Sequence, residues 1–395
     1  MGDWIDDFVD YTSSLPSPEN FRLWSAITAV SGALERRVFG TAGNTIFFPN
    51  LFTLLVAPPG IGKTVAISQV RDLWLETKKL QICPDNATSA ALVDALMEAD
   101  RKIMAPNNQL IEYHSLAVAA DELGTLVPQH ELGFLSIINK LFDNPRSYRE
   151  KRRTLNQDKD ITNPQLTILA GSQPGFMANL FPESAWTMGT TSRMIMIYAS
   201  KSPPIKLFDV TPLNKGMKQS LVIRLTHMAD LIGEVSWTPA AAHKLELWLA
   251  SGCQPVPEHS KLEHYNPRRI LHALKLCTIS AISRSGELQI IEDDVTRAID
   301  WLLAAEVDMP GIFRSMKGKS DEQVFMELHS FMWSEFAANG RKPISYTAIY
   351  KFLTLYADSW KVEKLIESAE KARYIDRIAG TNSYKPVLKN MHGVE

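Results

Sequence analysis

The sequence predicts an α/β fold. A mostly parallel sheet covered by helices on both faces is followed by a helical lid subdomain and a C-terminal unit of three helices and a two-stranded wing. Three observations carry this expectation. Five apolar residues (Leu51, Phe52, Leu54, Leu55, Val56) run into the turn APPGIGKT at 57–64, and a helix-forming run, 65–74, follows it. Apolar strands then alternate with helical stretches as far as Tyr198, the pattern of a sheet buried on both faces. Past Tyr198 the strand pattern stops and helical periodicity takes over.

Taken in order, residues 1–44 read as an N-terminal helical segment in which Pro18 and Glu19 open an amphipathic run through Phe21, Trp24, Ile27 and Val30. Residues 45–200 read as the α/β core, with 45–49 as an extra edge strand beside the strand at 51–57. Thr88 caps a helix over 88–103, where Leu92, Leu96, Ala99 and Ile103 recur at helical spacing. Residues 110–113 and 116–120 are strands, 132–142 is a short helix, and 166–170 and 194–198 are the last strands. The lid subdomain, 201–315, holds helices at 213–232, 238–251, 267–284 and 291–312, the third with Pro267 in its first turn. The polar stretch 316–320 marks a boundary. Helices at 321–337, 345–355 and 359–372, then a hairpin over 374–387 turning at Gly380-Thr381-Asn382, give 321–395 a winged-helix-like form.

Composition narrows the classes. A hydrophobic content of 45% and a charged content of 22% describe an ordinary globular protein, and 395 residues suffice for two or three domains. The formal charge of −2 supplies no whole-molecule field for DNA, so any nucleic-acid site is a local patch. Cys83, Cys253 and Cys277 show no paired spacing, which predicts reduced thiols and no cysteine-built metal site. The acidic start MGDWIDDFVD has no positive leader, and Asp6 stands where a myristoylation signal needs Ser or Thr. No apolar run approaches the roughly eighteen residues of a membrane span, so a cytoplasmic location is expected and no membrane partner.

The turn at 57–64 carries the most specific chemistry. Its glycines let successive backbone N–H groups turn inward on phosphates, so Pro59, Gly60, Ile61 and Gly62 form the expected cradle, assisted by the positive end of the helix. Lys63 is placed to reach the β- and γ-phosphates of ATP, and the Thr64 hydroxyl to ligate Mg²⁺. The motif opens with Ala57 where glycine is usual, a mild change unless φ must be positive. The strand LAVAADEL ends in two carboxylates: Asp121 is expected to hold the Mg²⁺ shell through water, and Glu122 to activate the attacking water. At the end of the next strand, TILAGSQP, Gln173 is the first choice for a γ-phosphate sensor and Ser172 the second. Arg193, just before the last apolar strand, is expected to face a neighbouring subunit's nucleotide and neutralise charge during transfer.

Two basic features complete the set. The stretch 144–159 holds Arg146, Arg149, Lys151, Arg152, Arg153 and Lys159 against Glu150 and Asp158, and reads either as a solvated loop or as a hairpin gripping a phosphate backbone. Arg268 and Arg269 open the third lid helix. Being adjacent they cannot both point at the triphosphate, and Arg268 is preferred.

Together these features resemble the AAA+ superfamily of P-loop NTPases. Within it they are similar to the minichromosome-maintenance and superfamily 3 helicase branch, and to ATPases carried by phages and mobile elements. The residues that carry the resemblance are Phe21-Arg22-Leu23-Trp24 in the N-terminal helix, FPNLF at 48–52, APPGIGKT at 57–64 and ADELG at 120–124. Ser172-Gln173-Pro174 stands where that branch has Ala-Asn-Pro, and Thr191-Ser192-Arg193-Met194 where it has Leu-Ser-Arg-Phe. The resemblance spans 15–310, and the last 75 residues match only a generic winged helix. It implies a ring-forming, ATP-driven DNA translocase, a replicative helicase working in a bacterial host's cytoplasm. The implied partners are further copies in a ring (a hexamer first), single-stranded or forked DNA, and a primase or replication initiator. The alternative is a helicase loader or DNA-binding regulatory ATPase. A chaperone or defence ATPase acting on protein stays open, because such a core does not name its substrate.

Overall fold

The computed structural model describes residues 2–84, 88–104, 108, 110–126, 132–152, 157–181, 186, 189–204, 212–316, 321–354, 356–357 and 359–387. The chain forms two compact units, Met1–Phe313 and Arg314–Glu395.

The first unit opens with α1 (Trp4–Tyr11), whose N-terminus is capped by the Asp3 carboxylate, and α2 (Glu19–Leu34). After them come β1 (Val38–Ala42), β2 (Thr45–Phe47) and β3 (Phe52–Val56). Next are α3 (Lys63–Thr77), α4 (Ser89–Glu98), β4 (Asp100–Met104), β5 (Leu110–Ala120) and α5 (Leu132–Phe142). The hairpin β6 (Ser147–Arg152) and β7 (Gln157–Thr162) leads to β8 (Pro164–Ser172), α6 (Pro174–Leu180) and β9 (Ile195–Tyr198). The remainder is α7 (Lys215–Met228), β10 (Gly233–Trp237), α8 (Pro239–Ala250), α9 (Arg269–Ser285), β11 (Gln289–Ile290) and α10 (Glu292–Met316), within whose last turn the division between the units falls.

The central sheet runs β4-β5-β8-β3-β9, parallel throughout except for β4, which is antiparallel to β5. Every residue of β3 and β8 is buried, as sheets covered on both faces require. The chain leaves β3 for β5 and β8 on one side and returns to β9 on the other. The C-terminal end of β3 is therefore a switch point of the kind where such sheets open a ligand crevice.

Helix α2 is a central element, buried along almost its whole length. Thr28 Oγ1 lies 2.7 Å from Thr53 Oγ1 of β3, and the Ser31 hydroxyl donates to Pro49 O at 2.7 Å while accepting from Leu51 N–H. Helix α3 packs against it through Trp74, whose indole N–H donates to Ala29 O. The amino-terminal helix is tied to the lid helices: Trp4 donates to Leu221 O, and Asp3 and Asp7 pair with Arg297 and Arg224, each at 2.6 Å.

Several expectations are corrected. The strand at 45–47 does not flank β3. It pairs antiparallel with β1 in a second sheet of order β11-β10-β1-β2. Strand formation also does not stop at Tyr198, because β10 and β11 lie in the lid and run parallel to β1 and β10 respectively. The stretch 88–103 is a helix only to Glu98. From Asp100 the chain alternates exposed and half-buried residues as a strand against β5. The two strands expected at 110–120 are one, continuous through His114 and Ser115 because β4 and β8 bracket it.

The second unit holds α11 (Asp321–Ala338), β12 (Ile344–Ser345), α12 (Tyr346–Leu353), α13 (Ser359–Lys371), β13 (Ile375–Arg377) and β14 (Ser383–Pro386). Its strands form an antiparallel sheet of order β12-β14-β13 over a core that includes Leu328, Met332, Ile349, Val362 and Ile375. On α13, Glu363 and Glu367 are exposed beside Lys364, so this helix presents mixed charge and not a basic face. No helix among the described residues is long and apolar enough to cross a membrane.

Candidate functional site

The turn at 57–64 joins β3 to α3. Gly60 and Gly62 adopt φ of +80° and +85°. At Gly62 a side chain is excluded twice over, by its left-handed backbone and by Pro16 O, which lies 2.1 Å from where a Cβ would stand. The turn before α2 is thus packed directly on the turn at 57–64. Lys63 is buried at the start of α3, and its Nζ donates to Ala57 O at 2.7 Å and Pro58 O at 3.0 Å. Thr64, next along, is exposed.

The neighbouring strand tips bring the other residues to this edge. Val56 pairs with Ser172 and Ala120 with Ala170, so the residues after β3, β5 and β8 emerge side by side. Gly171 permits the closest approach, since a Cβ there would stand 2.3 Å from Asp121 O. Burial raises the Glu122 carboxyl above its usual range, while Lys63, Ser172 and Gln173 oppose the rise. Burial likewise lowers the Lys63 ammonium, with Glu122 opposing. The two groups therefore stabilise one another's charged form across the crevice. Glu122 Oε1 and the fully buried Ser172 Oγ make no well-formed hydrogen bond within the chain, although the hydroxyl lies close enough to the carboxyl to hold its pKa down, so both retain capacity for a ligand or water. Gln173 precedes α6 without capping it through its side chain. Asp121 is more exposed, and its Oδ1 lies 3.3 Å from Arg71 of α3, a residue with no sequence signal beyond its place on the helix. The described residues contain no cluster of three or more His, Cys, Asp or Glu suited to a metal ion.

Arg193 and Arg268 are placed together, and away from Lys63. Arg193 precedes β9 and Asn50 precedes β3, so both mark the N-terminal edge of the sheet. From Asn50 to Ala57 the chain advances about 23 Å along an extended strand. Arg193 Nη2 lies 2.6 Å from Asp143 Oδ2, and Arg268 Nη1 lies 3.3 Å from Asp143 Oδ1. Arg268, expected to swing over the triphosphate, rests in this structure on Asp143. Arg269 takes a structural role: fully buried, it forms a two-pronged pair with Glu306 at 2.7 Å on each prong, supported by the Tyr265 hydroxyl.

This edge is rigidly built. Asn50, from the FPNLF motif, donates to Phe142 O and Leu166 O and accepts from Asn144 and from Lys275 Nζ. Lys275 is wholly buried over the Phe142 ring, and burial holds its pKa well below the usual value. His272 is buried against Ser192 O, and desolvation pushes its pKa down to about 3 from 6.5. The unfolded chain takes up a proton below 6.5 that the folded chain refuses, so acidification below that point destabilises the fold. The expected loss from about pH 6.5 to about pH 5 is about 2 kcal/mol. Urea unfolding should show a shallower slope for His272→Gln over that window, and an unchanged slope would remove His272 as its source.

The basic stretch forms the antiparallel hairpin β6–β7, with Tyr148 buried at its base. Arg149 pairs with Asp160 at 2.9 Å and Lys159 with Asp94 of α4. The side chains of Lys151 and Arg152, and Arg153 entirely, lie outside the described residues. A cleft of 460 Å³ beside Trp237, Leu245 and Ile270 and one of 360 Å³ beside Arg224 and Arg284 include no residue of the turn at 57–64. Cys83, Cys253 and Cys277 are buried free thiols.

No protein-family model matches this chain, and comparison with curated proteins finds no relative.

Proposed function

We propose that this chain is an AAA+ P-loop ATPase that assembles into a ring and moves along DNA, the work of a replicative helicase. One observation carries the reading: Lys63, Glu122, Ser172 and Gln173 meet at the ends of three adjacent parallel strands, with Glu122 Oε1 and Ser172 Oγ buried beside one another and without a well-formed hydrogen bond. These residues fit a nucleotide. The left-handed glycines turn the loop as an anion cradle needs, and Lys63 Nζ rests on two loop carbonyls that a phosphate would replace as its partner. Thr64 fits Mg²⁺ held mainly by phosphate oxygens and water, which asks for only one or two protein ligands. Asp121, now paired with Arg71, is the second residue that would help hold the ion.

When bound, ATP supplies the phosphoryl group and Mg²⁺ the charge that polarises it. Lys63 neutralises the β- and γ-phosphate oxygens. Glu122 accepts a proton from the attacking water, and its raised pKa brings its basicity closer to what that transfer needs. Ser172 and Gln173 orient that water and the carboxylate. Arg193 precedes β9, on the far edge of the sheet from its own turn at 57–64, and that separation supports a role toward another copy's nucleotide in a ring.

The hairpin β6–β7 supplies the DNA contact, and hydrolysis stimulated by single-stranded DNA tests the whole reading. Charge reversal at Lys151, Arg152 and Arg153 should weaken DNA binding, reduce the salt slope by about 0.7 to 0.9 for each lost phosphate contact and leave DNA-independent hydrolysis unchanged. Hydrolysis indifferent to nucleic acid would remove DNA as the substrate, and an unchanged salt slope would move its contact away from the hairpin.

A further inference from the structure

Arg193 and Arg268 come from distant parts of the chain and end on one carboxylate. Both prongs of Arg193 reach Asp143, Nη2 at 2.6 Å and Nε at 3.3 Å, while Arg268 Nη1 reaches Oδ1 at 3.3 Å. Two guanidiniums against one carboxylate leave the group net positive. Burial lowers the Arg268 pKa, the positive Arg193 lowers it further, and Asp143 offsets part of this.

The supports behind the three residues are fixed. Asp143 lies between Phe142 and Asn144, both bonded to Asn50. Ser192, before Arg193, holds the buried His272, and Arg269, after Arg268, is locked to Glu306. The tips meet where the cluster opens: the Asp143 side chain is 44% exposed, against 13% for Arg193 and 29% for Arg268. An anion arriving from solvent therefore meets the carboxylate first.

We propose that Arg193 and Arg268 form a single polyphosphate-receiving site and that Asp143 occupies it as a built-in competitor. A terminal phosphate brings about two negative charges and three acceptor oxygens, enough to satisfy both guanidinium forks at once, where a carboxylate brings one charge and two oxygens. The proposal takes the identity of its natural ligand, a nucleotide's phosphates, from the function proposed above. The chemistry is the same whether the polyphosphate is free or carried on a second copy.

The test uses the full chain with Lys63→Ala, which silences the phosphate loop, and calorimetric titration with inorganic tripolyphosphate. Asp143→Asn should tighten binding about tenfold, because the competing charge is lost while the side chain keeps its size. Adding Arg193→Ala or Arg268→Ala should abolish the gain, and Asp143→Glu should hold the starting affinity. Asp143→Ser, with thermal unfolding to confirm the fold, repeats the charge removal independently. Affinity unchanged in both neutral variants, or a gain that survives loss of both arginines, overturns the proposal. A second arm mixes the Lys63→Ala, Asp143→Asn chain with an Arg193→Ala chain loaded with a non-hydrolysable ATP analogue. Nucleotide-dependent association stronger than with Asp143 intact supports the site and assigns its ligand to a neighbouring copy. A gain confined to free tripolyphosphate supports the site with a soluble ligand. Failure of the parent chain to bind ATP would remove the nucleotidase reading and leave the tripolyphosphate result standing.

Discussion

Glu122→Gln should slow ATP turnover by about a hundredfold to ten-thousandfold while ATP affinity stays within about threefold of the parent. The substitution keeps the side chain's size and an acceptor beside Ser172, and removes only the capacity to take a proton. Because burial raises the Glu122 pKa above 4.5, the acid limb of the parent's turnover should lie above that value. Lys63 is the principal opposing charge, so Lys63→Met should move any residual limb still higher. Turnover within twofold of the parent would take Glu122 out of its role.

Arg193→Ala should retain nucleotide binding and lose about a thousandfold or more in turnover, the loss typical of an arginine that stabilises charge during phosphoryl transfer. Its guanidinium lies at the opposite sheet edge from Lys63, so the defect should be repairable between chains. Equal mixing of Arg193→Ala with Lys63→Ala joins an intact loop to an intact arginine at about a quarter of the interfaces in a head-to-tail ring. Hydrolysis above that of either variant alone is the expected result. Mixed assemblies that recover nothing would confine Arg193 to its own chain.

The strand, turn and helix at 52–77 are legible in the sequence because their signals are local: apolar residues end at Val56, and the glycines fall where left-handed backbone is needed. The second sheet is not legible, because its strands are short and their partners lie far away in the chain. The choice between Arg268 and Arg269 is likewise hidden, since periodicity separates two adjacent residues but does not say which side is core. Glu306, from another helix, decides it by burying Arg269. Asp143 looks like any polar residue after a helix, and only the fold brings Arg193 and Arg268 to it. The hairpin's basic residues stand out by composition, while the ion pairs that occupy Arg149 and Lys159 do not.

The strand β3 has candidate site residues beyond both of its ends. Asn50 fastens one end to the framework around Asp143, and the other feeds straight into Lys63. Buried along its length and bonded to β8 and β9 on either side, it is a stiff rod of about 16 Å with little capacity to stretch or shear. In the proposed ring, such a rod makes each subunit a transmission element between two nucleotide sites, its own and its neighbour's. If that ring hydrolyses ATP, a displacement of the turn at 57–64 would be carried along β3 to the opposite edge, a mechanical basis for the sites to fire in turn.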